Sequence, residues 1–157
     1  MTATQIRNRF LGRSRTSLAF LGAFAVLLVS MTTWSGQVDA NEEAIRATIQ
    51  HYFDGHAGGG PEAMRQAFHD VTTLYWVADG ELGQRPVGEY IANASTSPAA
   101  DEAQRRRRIV SIDIAGTSAV AKLELDYPGA LITDYMSLLQ IDGDWKIVGK
   151  IFNVDRR

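Results

Sequence analysis

The stretch Leu131-Ile132-Thr133-Asp134-Tyr135-Met136-Ser137-Leu138-Leu139-Gln140-Ile141, then Asp142-Gly143, then Asp144-Trp145-Lys146-Ile147-Val148-Gly149-Lys150-Ile151-Phe152, decides the fold. Apolar and polar residues alternate along both runs, the period of a strand covered on one face. Asp-Gly between two such runs marks a two-residue hairpin turn. Pro128-Gly129 marks another turn upstream, and Gly116 a third. Strands are therefore expected at about 105–114, 119–127, 131–141 and 144–152, joined as an antiparallel meander.

The turns also fix a register. With tight loops, Leu125 faces Ile132, Leu123 faces Asp134 and Ala121 faces Met136, while Leu138 faces Ile147 and Asp134 faces Ile151. Directly opposed residues share a face. One face then collects Ala121, Leu123, Leu125, Ile132, Met136, Leu138, Trp145, Ile147 and Ile151. The other collects Lys122, Glu124, Asp126, Thr133, Tyr135, Ser137, Lys146 and Lys150, with Val148 and Phe152 among them. Asp134 is the anomaly of the apolar face. A carboxylate there must be hydrogen-bonded, protonated or open to a cavity, because an unpaired buried charge is costly. Three readings stand: a pocket-lining group, a structural acid bonded to a donor in the core, or an outward residue if a bulge reverses the register.

Upstream of the meander the period changes. Asn41 with Glu42 and Glu43 reads as a helix start, and Ile45, Ile49, Tyr52 and His56 follow at helical steps, with Phe53 beside them. Gly58-Gly59-Gly60 breaks this helix, Pro61 opens a second, and Met64, Ala67 and Phe68 form its apolar side. Val71 to Val77 reads as a strand with a hairpin turn at Asp79-Gly80. Pro86 to Ala94 reads as a third short helix with Val87, Tyr90 and Ile91 inward. Three helices packed on a curved, mostly antiparallel sheet make an α+β domain over residues 41–157.

The first forty residues read as a leader. Arg7, Arg9, Arg13 and Arg15 precede an apolar run from Leu18 to Met31, too short for a membrane span of about 20 residues. Val38 and Ala40 place small or aliphatic residues at the −3 and −1 positions of a cleavage site after Ala40. The expectation is a secreted or periplasmic domain, membrane-bound only if this segment stays uncleaved.

The segments Tyr52-Phe53-Asp54-Gly55, Ala67-Phe68-His69, Asp134 to Leu139, Asp142 to Val148 and Lys150-Ile151-Phe152 resemble the Putative lumazine-binding family. That family belongs to the superfamily with the nuclear transport factor 2 fold. The resemblance covers about residues 42–154. It implies a cone, a curved sheet wrapped around helices with a pocket between them, in a superfamily holding isomerases, cyclases, dehydratases and non-catalytic members. Two departures fall near the implied pocket entrance: His69 is followed by Asp70-Val71 with no proline, and the three-glycine run replaces the more usual polar Gly-Asp turn.

Composition narrows the chemistry. The chain of 157 residues has no cysteine, so thiolate catalysis and cysteine-ligated metals are excluded. Sixteen Lys and Arg stand against eighteen Asp and Glu, and residues 41–157 carry twelve basic and seventeen acidic residues, which argues against nucleic acid as a partner. Three histidines without ligand spacing give no reason to expect a metal, and nothing in the sequence calls for a cofactor. Two main functions are expected. One is binding of a small hydrophobic or aromatic ligand by Tyr52, Phe53, Trp76, Met136 and Trp145, with Asp134 as polar anchor. The other is a cofactor-free isomerase, dehydratase or cyclase in which Asp134, with or without His69, moves a proton. His69 could equally satisfy a helix end, and His56 reads as a packed or pocket-rim residue. Of the run Arg105-Arg106-Arg107-Arg108, Arg106 and Arg108 share the face of Val110 and Ile112 and would be the members to reach a pocket mouth; otherwise the run is a solvated edge. Tyr135, Val148 and Phe152 on the outer face suggest a homodimer packed through the sheet.

Overall fold

The computed structural model describes residues 40–157. The leader reading falls on residues 1–39 and lies outside the described residues. Helix α1 covers residues 40–54. Ala40 is already helical, so Asn41 lies inside the helix and does not cap it. The helix passes into a π-helical turn, Gly55–Gly59, which ends at a kink where Gly58 has φ 106°. A β-carbon on Gly58 would stand 2.5 Å from the backbone nitrogen of Pro98, so glycine here serves both the kink and the close passage of the loop. Helix α2 (Gly60–Ala67) follows with Pro61 in its first turn. Next come β1 (Thr73–Ala78) and β2 (Glu81–Pro86), a hairpin over Asp79-Gly80, then the short helix α3 (Val87–Ala92). After one 3₁₀ turn (Glu102–Gln104), the meander runs β3 (Arg106–Ala115), β4 (Ser118–Tyr127), β5 (Ala130–Ile141) and β6 (Asp144–Arg156).

The six strands form one sheet in the order β2-β1-β6-β5-β4-β3. All pairings are antiparallel except β1 with β6, which run parallel through Leu74 beside Lys150 and Tyr75 beside Ile151. Ile45, Ile49 and Tyr52 of α1 are fully buried against Leu123, Leu125 and Ile147 of the sheet. Each such side chain contributes about 1.5–3 kcal/mol of hydrophobic stabilisation at most. The fold is the expected α+β class, with helices on one face of a mostly antiparallel sheet.

The register of β4 against β5 is as the turns predict: Leu125 faces Ile132, Leu123 faces Asp134 and Ala121 faces Met136. The register of β5 against β6 holds for Gln140 with Trp145 and Leu138 with Ile147, then slips. Ser137 pairs with Gly149, so Val148 is the extra residue of a β-bulge. Beyond it Asp134 faces Phe152, not Ile151. Lys150 and Phe152 therefore turn inward and Ile151 turns out, 56% exposed, which corrects the expected face of all three. The carbonyl of Ile147, just before the bulge, accepts the backbone N–H of His69 at 2.9 Å and the Thr72 hydroxyl at 2.6 Å.

A second bulge sits in β3. Ile109 pairs with Leu123 and Ser111 with Lys122, leaving Val110 unpaired and half out of the sheet. Because of it, Arg105 and Arg107 share the inner side with Ile109 and Ile112. Arg106 and Arg108 are exposed, and Arg108 pairs with Glu124. The expectation that Arg106 or Arg108 reaches the pocket is thereby corrected.

Candidate functional site

Three polar side chains meet inside the cone. Tyr52 comes from the buried stripe of α1, Asp134 from β5, and Lys150 from β6 beyond its bulge. The Tyr52 hydroxyl donates to Asp134 Oδ2 at 2.6 Å, and Lys150 Nζ donates to the Tyr52 oxygen at 2.5 Å. Nζ also lies 2.9 Å from Asp134 Oδ1. Among the described residues that oxygen takes no well-aligned hydrogen bond, and its partner is the ammonium charge. Tyr52 and Asp134 are fully buried and Lys150 is 5% exposed. Burial first, and the neighbouring Asp134 carboxylate second, push the Tyr52 phenol well above its ordinary range, so it remains a protonated donor.

Above this network lies a cavity of about 290 Å³. Tyr52 and Lys150 form its polar floor; Leu74, Leu125 and Ile132 supply aliphatic wall; Trp76, Tyr90 and Phe152 supply rings, with His56 and Arg85 completing the lining. The Trp76 and Phe152 rings lie 5.4 Å apart and 32° from parallel. The indole of Trp76 crosses Gly83 of β2, where any β-carbon would stand 2.3 Å from it. The Lys150 ammonium sits 4.7, 5.1 and 5.5 Å from the ring centres of Tyr52, Phe152 and Tyr90, a cation in an aromatic setting. An ammonium carries three protons, and Tyr52 and Asp134 leave it donor capacity toward the cavity.

His56 Nε2 and the Tyr90 hydroxyl share a 2.8 Å hydrogen bond at the rim. Burial, then the charges of Lys150, Arg107 and Arg105, hold the His56 imidazole down to about 3, so it is neutral at physiological pH. Arg107 is clamped by Glu102 through two contacts, at 2.5 and 3.0 Å, and also donates to the Tyr127 hydroxyl and the His56 carbonyl. Among the described residues no group of three His, Asp or Glu side chains gathers as a metal site. A larger hollow of about 540 Å³ lies on the opposite face of the sheet between Val71, Tyr75, Val120, Tyr135 and Ile151. Lys150 and Met136 also border this hollow, but among the described residues lining it neither Tyr52 nor Asp134 is present, so the three-membered polar network faces the cone and not this side.

The residues expected at the site divide into groups. Tyr52 and Trp76 line the cavity. Asp134 lies one layer behind it, reaching the cavity only through Tyr52 and Lys150. Phe53 and Met136 are buried in the core and do not form cavity wall. Trp145 is buried away from the cavity; its carbonyl accepts the Thr48 hydroxyl and its indole N–H has no partner among the described residues. His69 is outside the cavity. Its backbone N–H binds the Ile147 carbonyl and its Nδ1 accepts the Val71 N–H at 3.2 Å, a local structural role. Lys150, Phe152 and Arg85 were missed as site residues. For the first two the available signal was Gly149, a glycine inside a strand, which marks a bulge.

A cone of this topology, with a polar network at the base of an aromatic cavity, defines a nuclear transport factor 2-like domain. The chain belongs to the Putative lumazine-binding family, whose model matches residues 40–153. It is similar to an NTF2-like protein of unknown function from Shewanella baltica OS155, at 29% identity and TM-score 0.65, covering 74% of this chain and 94% of that one. An NTF2-like protein of unknown function from Methylobacillus flagellatus KT is similar at 28% identity and TM-score 0.65, covering 74% and 93%. The aldolase FrzH of a Cladobotryum species is 23% identical over 111 residues, 71% of this chain and 89% of that protein.

Proposed function

We propose that this domain binds a small flat-ring ligand in the cone, with a carbonyl or other acceptor oxygen held by Lys150. The carrying observation is the Lys150 ammonium, which lines the cavity while Tyr52 and Asp134 fix it from behind. Asp134 thus acts as the positioning charge for the anchor. The aromatic wall fits a planar ring, and the family's description as lumazine-binding agrees with a planar carbonyl-bearing ligand.

The alternative is carbonyl chemistry, in which the Lys150 ammonium stabilises an enolate while a base takes a proton. The aldolase relative favours it. Against it stands the choice of base. His56 is the imidazole on the wall, and a group titrating near 3 is a weak base at neutral pH; Asp134 is screened from the cavity by its own partners. Donors without a strong base support binding over turnover.

The direct test is mass spectrometry of small molecules that co-purify with the protein, followed by titration of the compound found. A planar, oxygen-bearing ring whose affinity falls more than tenfold in Lys150→Met/Asp134→Leu, which removes the anchor without leaving an unpaired buried charge, supports the reading. Affinity unchanged in that variant, or conversion of the compound by the wild type, overturns it in favour of another site or of catalysis. Two further parts of the reading concern the protein's setting. The arginine-flanked apolar leader supports export with cleavage after Ala40, checked by N-terminal sequencing of exported protein. The outer face, with Val120, Tyr135 and Ile151 each at least half exposed, supports a homodimer through the sheet; sedimentation showing only monomer at high concentration would remove it.

A further inference from the structure

Four basic side chains surround the cone, and three of them have carboxylate partners: Lys150 with Asp134, Arg107 with Glu102, and Arg105 with Asp101 at 2.8 Å. Arg85 is the fourth. It projects from β2 opposite Leu74, and its guanidinium lies 5.6 Å from the Trp76 ring centre. No hydrogen bond or ion pair holds it among the described residues. Arg85 borders two spaces at once: the cavity, and a groove of about 360 Å³ beside it that runs between α3 and the loop at Ser95–Ala99. The two spaces share His56, Arg85 and Tyr90, and Arg105 lines the far part of the groove. Among the described residues, no carboxylate side chain lines either space. The charge left over at the cavity mouth is therefore positive, on a side chain whose planar fork suits paired oxygens.

We infer that the ligand's ring carries an anionic oxyacid group, a carboxylate or a phosphate, which leaves the cone through its mouth and is held in the groove by Arg85. Arg105 adds to the field there. This inference rests on the ring-binding reading and specifies its ligand class: a planar ring with an acceptor oxygen at one end and an anion at the other. Arg85 then sets specificity by charge, while Lys150 sets the depth and orientation of the ring.

The test uses three fluorescent probes with one ring: 2-naphthol, 2-naphthoate and 2-naphthyl phosphate. Each is titrated at low and at high salt into protein expressed from the full-length chain and into its Arg85→Gln and Lys150→Met/Asp134→Leu variants, the second chosen because it leaves no unpaired buried charge. A tenfold or greater preference for an anionic probe over 2-naphthol, read as the ratio of the two affinities within each protein, weakened by salt and reduced to near one in Arg85→Gln, supports the inference. Preference for the carboxylate or for the phosphate identifies which oxyacid the groove accepts. Equal affinity for all three probes, or an anion preference that survives Arg85→Gln, overturns it while leaving ring binding standing. Failure of all three to bind overturns the ring-binding reading and this inference with it. Loss of 2-naphthol affinity in Lys150→Met/Asp134→Leu, with anion preference absent in the wild type, upholds the first and overturns the second.

Discussion

Replacing Lys150 by methionine removes one partner of a buried ion pair while keeping an unbranched side chain of similar length. Asp134 would then remain fully buried with only the Tyr52 hydroxyl at 2.6 Å to compensate its charge. Breaking such a pair from one side costs about 3–5 kcal/mol, since the remaining charge has lost its counterion. Total stabilities of domains are about 5–15 kcal/mol, so the variant should be close to the limit of folding. At about 4 °C per kcal/mol for a domain of this size, the melting temperature should fall by about 12–20 °C. The companion is the double variant Lys150→Met/Asp134→Leu, which replaces both charges with apolar groups in a setting already lined by Tyr90, Phe152 and Leu125. Its stability should return to the wild-type level or exceed it by about 1–4 kcal/mol. Urea unfolding followed by tryptophan fluorescence measures all three proteins. A Lys150→Met variant within 1 kcal/mol of wild type, or a double variant no more stable than the single one, would refute the reasoning that the pair is retained at a cost in stability. Recovery of stability together with loss of ring binding would assign the pair to ligand recognition.

Tyr52→Phe removes the hydroxyl bridging both charges and should cost about 1.5–3 kcal/mol, read as a lower urea midpoint with an unchanged slope. Asp134→Asn breaks the pair with Lys150 from the other side, leaves the buried ammonium without its counterion and should also cost about 3–5 kcal/mol. In the protein that remains folded, ring binding should weaken more than tenfold, because the anchor loses the charge that positions it, and titration of the bound compound below the urea midpoint decides it. His56 is held near 3 in the folded protein against about 6.5 unfolded, so the unfolded state takes up the extra proton and stability falls as the pH drops below about 6.5, by at most about 1.4 kcal/mol per pH unit, levelling off near 3. His56→Gln should flatten that slope between pH 6.5 and 5 in parallel urea titrations. Gly83→Ala should push the Trp76 indole off its seat and lower ring affinity while the melting temperature changes little, the β-carbon having 2.3 Å of room where the indole now lies.

Most of the scaffold could be read from residue patterns. The Asp-Gly hairpins at Asp79 and Asp142 place the chain reversals because both positions need the positive φ that Asp and Gly tolerate, and the structure has φ 52° and 53° at the two aspartates. From those turns and Pro128-Gly129 the face of Asp134 follows by counting, and it is buried on that face. The parallel pairing of β1 with β6 was not legible. It joins residues far apart in the chain through only two register pairs, and no local pattern marks a long-range contact of that kind. Trp76 and Tyr52 could be placed because aromatic residues on an inward face of a cone have few other places to go. Phe53, Met136 and Trp145 face inward too, but inwardness alone does not separate a cavity wall from a filled core.

The cations were misplaced for one physical reason that recurs. Counting by twos assumes an unbroken ladder, and a single extra residue reverses every side chain after it. Val110 does this in β3 and Val148 in β6. Each bulge delivers a basic residue to the inner face: Arg107, whose side chain binds Glu102 and Tyr127, and Lys150, which meets Asp134 and Tyr52. Without the Val148 bulge Lys150 would point to solvent, Asp134 would be an uncompensated buried charge, and Ile151 would occupy the floor of the cavity. Deleting Val148 restores strict alternation and should convert the polar floor to an apolar one, with loss of ring binding. The Ile147 carbonyl, fixed by His69 and Thr72, is what resists that slip. His69, which reads as a possible proton carrier in the sequence, thus serves the site through its backbone: it holds the irregularity that brings the anchor inside.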